Sequence, residues 1–193
     1  MRYTNPNSFA ENPGNIKLSR WKLRKIKKMI CISKRERAYF NKQIPAIKEY
    51  VAFGDTQPAY VISVSPLVVS AYSDEMDAVV MLRFPDELSR QYNLTIGDRL
   101  ITVNTYRQLN SNGVVPDIFV GKNYLNRYSD CHPIVPLFIS RSHKLMHQKL
   151  SLFDEEEWQM VWQKSQEYAS EHPDLLRDGF YYLKSANQVT YFK

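Results

Sequence analysis

Three apolar runs in close succession constrain this fold more than any other feature: AYVISV (59–64), PLVVSAY (66–72) and DAVVMLRF (77–84). They are rich in Val, with Tyr and Phe, and turn chemistry separates them, SDEM (73–76) suiting a hairpin loop. DAVVMLRF is apolar on both alternating faces except at Arg83, so it predicts a central strand covered on each side. A cation there must reach solvent, pair with an acid or hold an anionic group. Asp98 or Asp77 would serve as its partner, and an ion pair at the end of the sheet is the favoured reading.

Further elements follow from local signals. Ser33 with Glu36 matches a capping box and starts a helix running to about Gln43. Pro45 opens a further turn or two that Gly54 ends. DTQP (55–58) reads as a loop. PDELSRQY (85–92) carries Pro85, Asp86 and Glu87 at a helix start. DRLITVNTY (98–106) reads as a strand, NSNG (110–113) as a turn and VPDIFVG (115–121) as a short extended segment. In IVPLFIS (134–140), Pro136 demotes the run to an edge strand or an irregular buried segment. Asp154 and Glu157 cap a late helix whose Trp158, Val161, Trp162, Tyr168 and Ala169 share one face, and it ends near His172 and Pro173. FYYLK (180–184) and QVTYFK (188–193) suggest a closing hairpin. Strands flanked by helices, without strict βαβ alternation, predict an α+β fold. Its sheet is mostly antiparallel, with about five to seven strands, a basic helical N-terminal segment and an amphipathic helix near 154–172.

The 193 residues, 44% apolar, 13% aromatic and 24% charged, suit one folded domain with an appendage. The organisation expected is a flexible lead-in over 1–15, a basic helical segment over 16–54 and a single α+β domain over 55–193. Two cysteines a hundred positions apart provide no disulfide framework, which suits a reducing compartment. There is no signal-peptide core at the start and no run long enough to span a bilayer, so a cytoplasmic location is expected.

Charge is unevenly placed. Residues 1–50 hold 13 of the 26 basic residues against three glutamates, a balance of +10, while the remaining residues total −4. On a helix over 16–31, Lys17, Arg20, Arg24, Lys27 and Lys28 fall at spacings of three and four on one arc about 100° wide. Leu23, Ile26 and Ile30 make an adjacent stripe, and Leu18, Trp21, Met29 and Ile32 another beyond the arc. Lys22 and Lys25 fall outside it. With Trp21 inside the ridge and Lys34, Arg35 and Arg37 just downstream, the region fits contact with nucleic-acid phosphates or an acidic protein. A solvated helix face is the plainer reading of the same charges.

Catalytic patterns are sparse. Cys131, His132, His143 and His147 make the tightest set of candidate metal ligands, but the residues between the last two are KLM, without a metalloprotease glutamate. Pro116 and Asp117 with Lys122 match only half of a nuclease pattern. Asp74, Glu75 and Asp77 are explained by a polar hairpin tip. The scattered glycines build neither a P-loop nor a dinucleotide fingerprint, and Trp158 and Trp162 read as core. The expectation is a non-enzymatic binding or adaptor protein that uses Lys17, Arg20, Trp21, Arg24, Lys27, Lys28, Lys34, Arg35 and Arg37 against an acidic partner, with no cofactor. The alternatives are a small immunity-type protein that neutralises a partner protein, and a hydrolase, with or without a metal, around Cys131, His132, His143 and His147.

Overall fold

The computed structural model describes residues 10–184 and 191–192. Two helices, α1 (Arg20–Ile30) and α2 (Lys34–Phe53), precede the strands β1 (Asp55–Val64), β2 (Leu67–Ser73) and β3 (Ala78–Phe84). A short α3 (Glu87–Tyr92) leads to β4 (Arg99–Gln108) and, after a long loop, β5 (Tyr128–Ile134). The chain closes with α4 (His143–Leu150), α5 (Glu155–Glu171), β6 (Leu176–Asp178) and β7 (Tyr191–Phe192). The strands form one seven-stranded sheet in the order β5-β4-β1-β2-β3-β6-β7. Every pairing is antiparallel except β3 with β6, so the α+β expectation holds.

Period-two alternation puts the sheet at the centre of a three-layer arrangement. Leu67, Val69 and Ala71 of β2, with Val80, Leu82 and Phe84 of β3, face one core beside Leu23, Ile26, Phe40, Ile47 and Val51 from α1 and α2. The intervening Val68, Tyr72, Val79 and Met81 face a second core under Trp158, Val161 and Tyr168 of α5. The basic helical segment is therefore built onto the same core as the sheet. Burying a side chain the size of Val161 or Leu82 contributes about 1.5–3 kcal/mol, so both layers are integral to the fold. Trp158 is 2% exposed, edge-on to Tyr60 at 5.3 Å, and core as expected.

Several boundaries differ from expectation for physical reasons. Pro45 lies inside α2 and does not start a new helix. Phe40, Ile44, Ile47 and Val51 continue at spacings of four, three and four, and this single apolar stripe on the sheet offsets the hydrogen bond that proline cannot donate. DTQP (55–58) is the first part of β1, paired with β4 from Asp55 opposite Asn104. Pairing with β2 begins only at Ala59, so Pro58 belongs to the stretch bonded on one side. α1 starts at Arg20 because the residues before it bridge elsewhere: Ser19 N donates to Ile139 O at 2.8 Å, and Arg141 N to Lys17 O at 2.9 Å.

Within the described residues, the stretch before α1 is tied to the body by backbone hydrogen bonds. Gly14 N donates to Gly54 O, Asn15 N to Ala52 O and Thr56 N to Asn12 O, each at 2.9 Å. Gly14 is required there, since a Cβ would stand 2.2 Å from Val51 O. The segment 115–121 joins no strand ladder, and residues 116–117 form a turn within it. In 134–140 both readings apply, Ile134 ending an edge strand and Pro136–Phe138 forming a 3₁₀ turn. Of the closing hairpin, Tyr181–Leu183 is a 3₁₀ turn, and Tyr191–Phe192 pairs with β6 instead; 185–190 and 193 lie outside the described residues.

Candidate partner-binding face

α1 is held to the body by Leu23 and Ile26 and by a residue that sequence periodicity left outside the pattern. Lys22 turns inward, 8% exposed, with Nζ donating to Leu137 O at 2.7 Å and standing 5.0 Å from the Tyr92 ring centroid. Burial lowers its pKa. With Lys22 as an anchor, the opposite side of α1 faces solvent. Ser19 Oγ accepts from Lys22 N to cap its start, while Lys27 and Lys28 occupy the last turn, where the helix dipole favours cations.

The exposed side is cationic. Lys17, Arg20, Trp21, Arg24, Lys28, Lys34, Arg35 and Arg37 are all exposed, and Lys27 is half-buried with Nζ donating to Asn41 Oδ1 at 2.9 Å. Lys17 precedes α1 and so is not on the helical arc. Among the described residues, none of the eight cations in this set is ion-paired. The nearest acid in sequence, Glu36, is turned to backbone. Its Oε2 accepts from Ile32 N at 2.8 Å and Ser33 N at 2.7 Å, and Ser33 Oγ accepts from Glu36 N at 3.1 Å, completing the expected capping box.

The turn between α1 and α2 brings Arg37 beside α1. Together Trp21, Arg24, Lys25, Lys27, Lys28 and Arg37 line a groove of about 550 Å³ with no acidic side chain among them. Trp21 is 58% exposed, with Lys25 Nζ 4.1 Å from its ring centroid. Five of the nine residues singled out from sequence thus meet in one groove, Lys25 is added, and Lys17, Arg20, Lys34 and Arg35 lie outside its lining.

The second set of candidates does not assemble. His143 and His147 are exposed on α4 and border a different cavity, of about 210 Å³, with Tyr92, Leu100 and Met146. Among the described residues no group of three or more His, Cys, Asp or Glu is placed to hold a metal ion. Cys131 is 1% exposed and burial drives its thiol pKa far up, which removes it as a nucleophile at neutral pH. Asp77 accepts Lys164 Nζ at 2.9 Å.

Asp117 and His132 instead border a buried charge centre built on Arg177, which sequence reading missed. Arg177 is 0% exposed. Its Nε and Nη2 donate to the two oxygens of Asp117 at 2.7 and 2.8 Å, and Nη1 donates to Cys131 O at 2.7 Å. Nη1 also stands 3.1 Å from Asp130 Oδ1, whose other oxygen faces Arg107 and His132 at 3.5 Å. His132 Nδ1 meets Tyr181 Oη at 2.8 Å. Burial, opposed in part by Asp130 and reinforced by Arg177 and Arg107, holds the His132 pKa down at about 4. The centre joins the 109–127 loop, β5 and β6. With both acids and the arginine closed to solvent, it is a clamp and not a substrate site. Its only sequence signal was a charged pair, Arg177 and Asp178, between Leu176 and Phe180.

Comparison with known proteins finds no matching family model, no matching curated protein and no matching solved structure.

Proposed function

We propose that this chain is a non-enzymatic docking protein that binds an acidic macromolecule through the groove between α1 and α2 and the cations around it. The observation that carries the reading is a concentration of exposed Lys and Arg without neutralising carboxylates, mounted on a helix whose other side is anchored in the core. Exposed like charges repel one another, so an anion laid along them gains at every contact. Nucleic-acid phosphate is the favoured anion. The groove offers cations rather than shaped acceptors, and Trp21 adds an exposed ring on which a base can stack.

The test is fluorescence anisotropy of a labelled single-stranded oligonucleotide across a salt series. Neutralising about five phosphates predicts roughly a hundredfold loss of affinity between 50 and 200 mM salt. Replacing Arg20, Arg24, Lys27, Lys28 and Arg37 with Ser should abolish binding while the thermal midpoint stays in place. A pull-down from lysate with and without nuclease treatment separates the sources. Capture that survives nuclease and is lost in the Ser variant identifies an acidic protein on the same face. Binding unchanged in that variant overturns the reading.

A further inference from the structure

The first turn of β4 is left uncovered by its neighbour at the sheet edge. Pairing of β4 with β5 begins at Val103 opposite Ile134, so residues 99–102 have no strand on that side. Pro136, which cannot donate to a ladder, opens the 3₁₀ turn that carries the chain away. The eight-residue α4 then comes back beside β4. His143, Met146, His147 and Leu150 recur at spacings of three, one and three, which is one face of a helix. That face and the start of β4 border the cavity of about 210 Å³.

Its walls are apolar. Ile101 and Met146 are buried, while Leu94, Leu100, Leu137 and Leu150 are only half-buried around the same concavity. Apolar walls with a few polar groups are the usual make-up of a small-molecule site. Here those polar groups are mainly histidines. His143 and His147 are exposed one turn apart, and neither ring is engaged by another side chain among the described residues. Asp98 is the one acid among the residues bordering the cavity, and its oxygens are occupied. Thr95 N donates to Oδ2 at 2.8 Å and Thr95 Oγ1 to Oδ1 at 2.9 Å. Arg99 is paired with Glu155 at 2.6 Å. The surrounding charge is positive. Residues 141–150 hold Arg141, Lys144 and Lys149 and no Asp or Glu. Lys22 Nζ lies behind two residues of the wall, bonded to Leu137 O and 5.0 Å from the Tyr92 ring centroid.

We propose that this cavity binds a small aromatic carboxylate, with its ring against Leu94, Leu100, Leu137 and Met146 and its carboxylate accepting from the rings of His143 and His147. Size sets the class of ligand. An apolar cavity of about 150 Å³ admits benzene, so about 210 Å³ takes one ring together with a carboxylate. The leucines left half open to water lose that exposure when a ring covers them, which favours binding. Sign sets the head group. An anion meets two imidazole donors and a positive surround, whereas an ammonium group would meet an acid whose oxygens Thr95 already holds. A metal ion does not fit, because no three His, Cys, Asp or Glu are placed to hold one among the described residues. The cavity lies apart from the basic groove and shares no lining residue with it.

The probe is benzoate, titrated into the full chain and followed by methyl NMR shifts, with toluene and benzylamine as the uncharged and oppositely charged controls. Saturable binding with a Kd of roughly 1 mM or tighter is expected for so small a ligand, with shifts centred on Leu94, Leu100 and Met146. Toluene and benzylamine should bind about tenfold more weakly or worse, since neither can accept from the histidines. His143→Ala/His147→Ala changes two exposed side chains, so the thermal midpoint should stay in place while benzoate affinity falls roughly tenfold. Leu94→Trp fills the cavity from its half-buried wall and should abolish binding. Absence of saturable benzoate binding overturns the proposal. So does toluene or benzylamine binding as tightly as benzoate, or an affinity that neither variant changes. The Ser variant of the basic groove keeps benzoate binding, so the two sites fail independently.

Discussion

Replacing Arg177 with Met tests the physical account of the fold most severely. The substitution keeps most of the side-chain volume but removes the cation that both Asp117 and Asp130 contact inside the protein. Three hydrogen bonds disappear, two to Asp117 and one to Cys131 O. Two carboxylates, each 1% exposed, remain. Breaking a buried pair from one side costs about 3–5 kcal/mol because the abandoned charge stays desolvated. With a urea dependence of about 2 kcal/mol per molar, that cost moves the denaturation midpoint down by roughly 2 M. Equilibrium urea unfolding followed by tryptophan fluorescence reads it. Arg177→Met/Asp117→Asn/Asp130→Asn removes the charges together and should recover a large part of the loss, which keeps the test informative if the single variant does not fold. A loss below about 1 kcal/mol in the single variant would refute the claim that this centre holds the 109–127 loop, β5 and β6 together.

Acid should weaken the same region. His132 takes up its proton near 6.5 when unfolded and at about 4 when folded, so between those values the unfolded chain binds more protons and stability rises with pH. Lowering the pH across that window should remove about 3 kcal/mol, and His132→Gln should flatten the slope in a pH series of thermal midpoints. Ser70 Oγ and Ser165 Oγ lie 2.6 Å apart in the buried interface between β2 and α5, with Ser165 donating to Val161 O. Ser165→Ala strands the Ser70 hydroxyl and should cost about 1–3 kcal/mol, whereas Ser70→Ala/Ser165→Ala should be nearly neutral in the same unfolding assay. Gly14→Ala forces a methyl toward Val51 O and should destabilise by about 1–3 kcal/mol, with faster hydrogen exchange at Ile16 and Thr56.

Elements whose causes are local were readable along the chain. The capping box at Ser33 and Glu36, the Asp154 cap and the alternation of β2 and β3 depend on residues within a few positions of each other. The basic face was readable as charge, since thirteen cations against three acids need no coordinates. Errors arose where a distant surface decided the outcome. Pro45 signalled a new helix, but the stripe from Phe40 to Val51 had the sheet to lie on. Lys22 counted as a flaw in an exposed pattern, but Leu137 O and Tyr92, 115 and 70 positions away, made it an anchor. Arg177 left almost no signal because its partners, Asp117 and Asp130, come from other elements.

Periodicity, caps and composition act over a few residues, and they suffice for the fold class, the late amphipathic helix and the sign and location of the N-terminal charge. Which cations share a groove and which charges are locked in the interior emerge from packing. Those outcomes depend on desolvation and on contacts between residues tens of positions apart, and no local pattern encodes them.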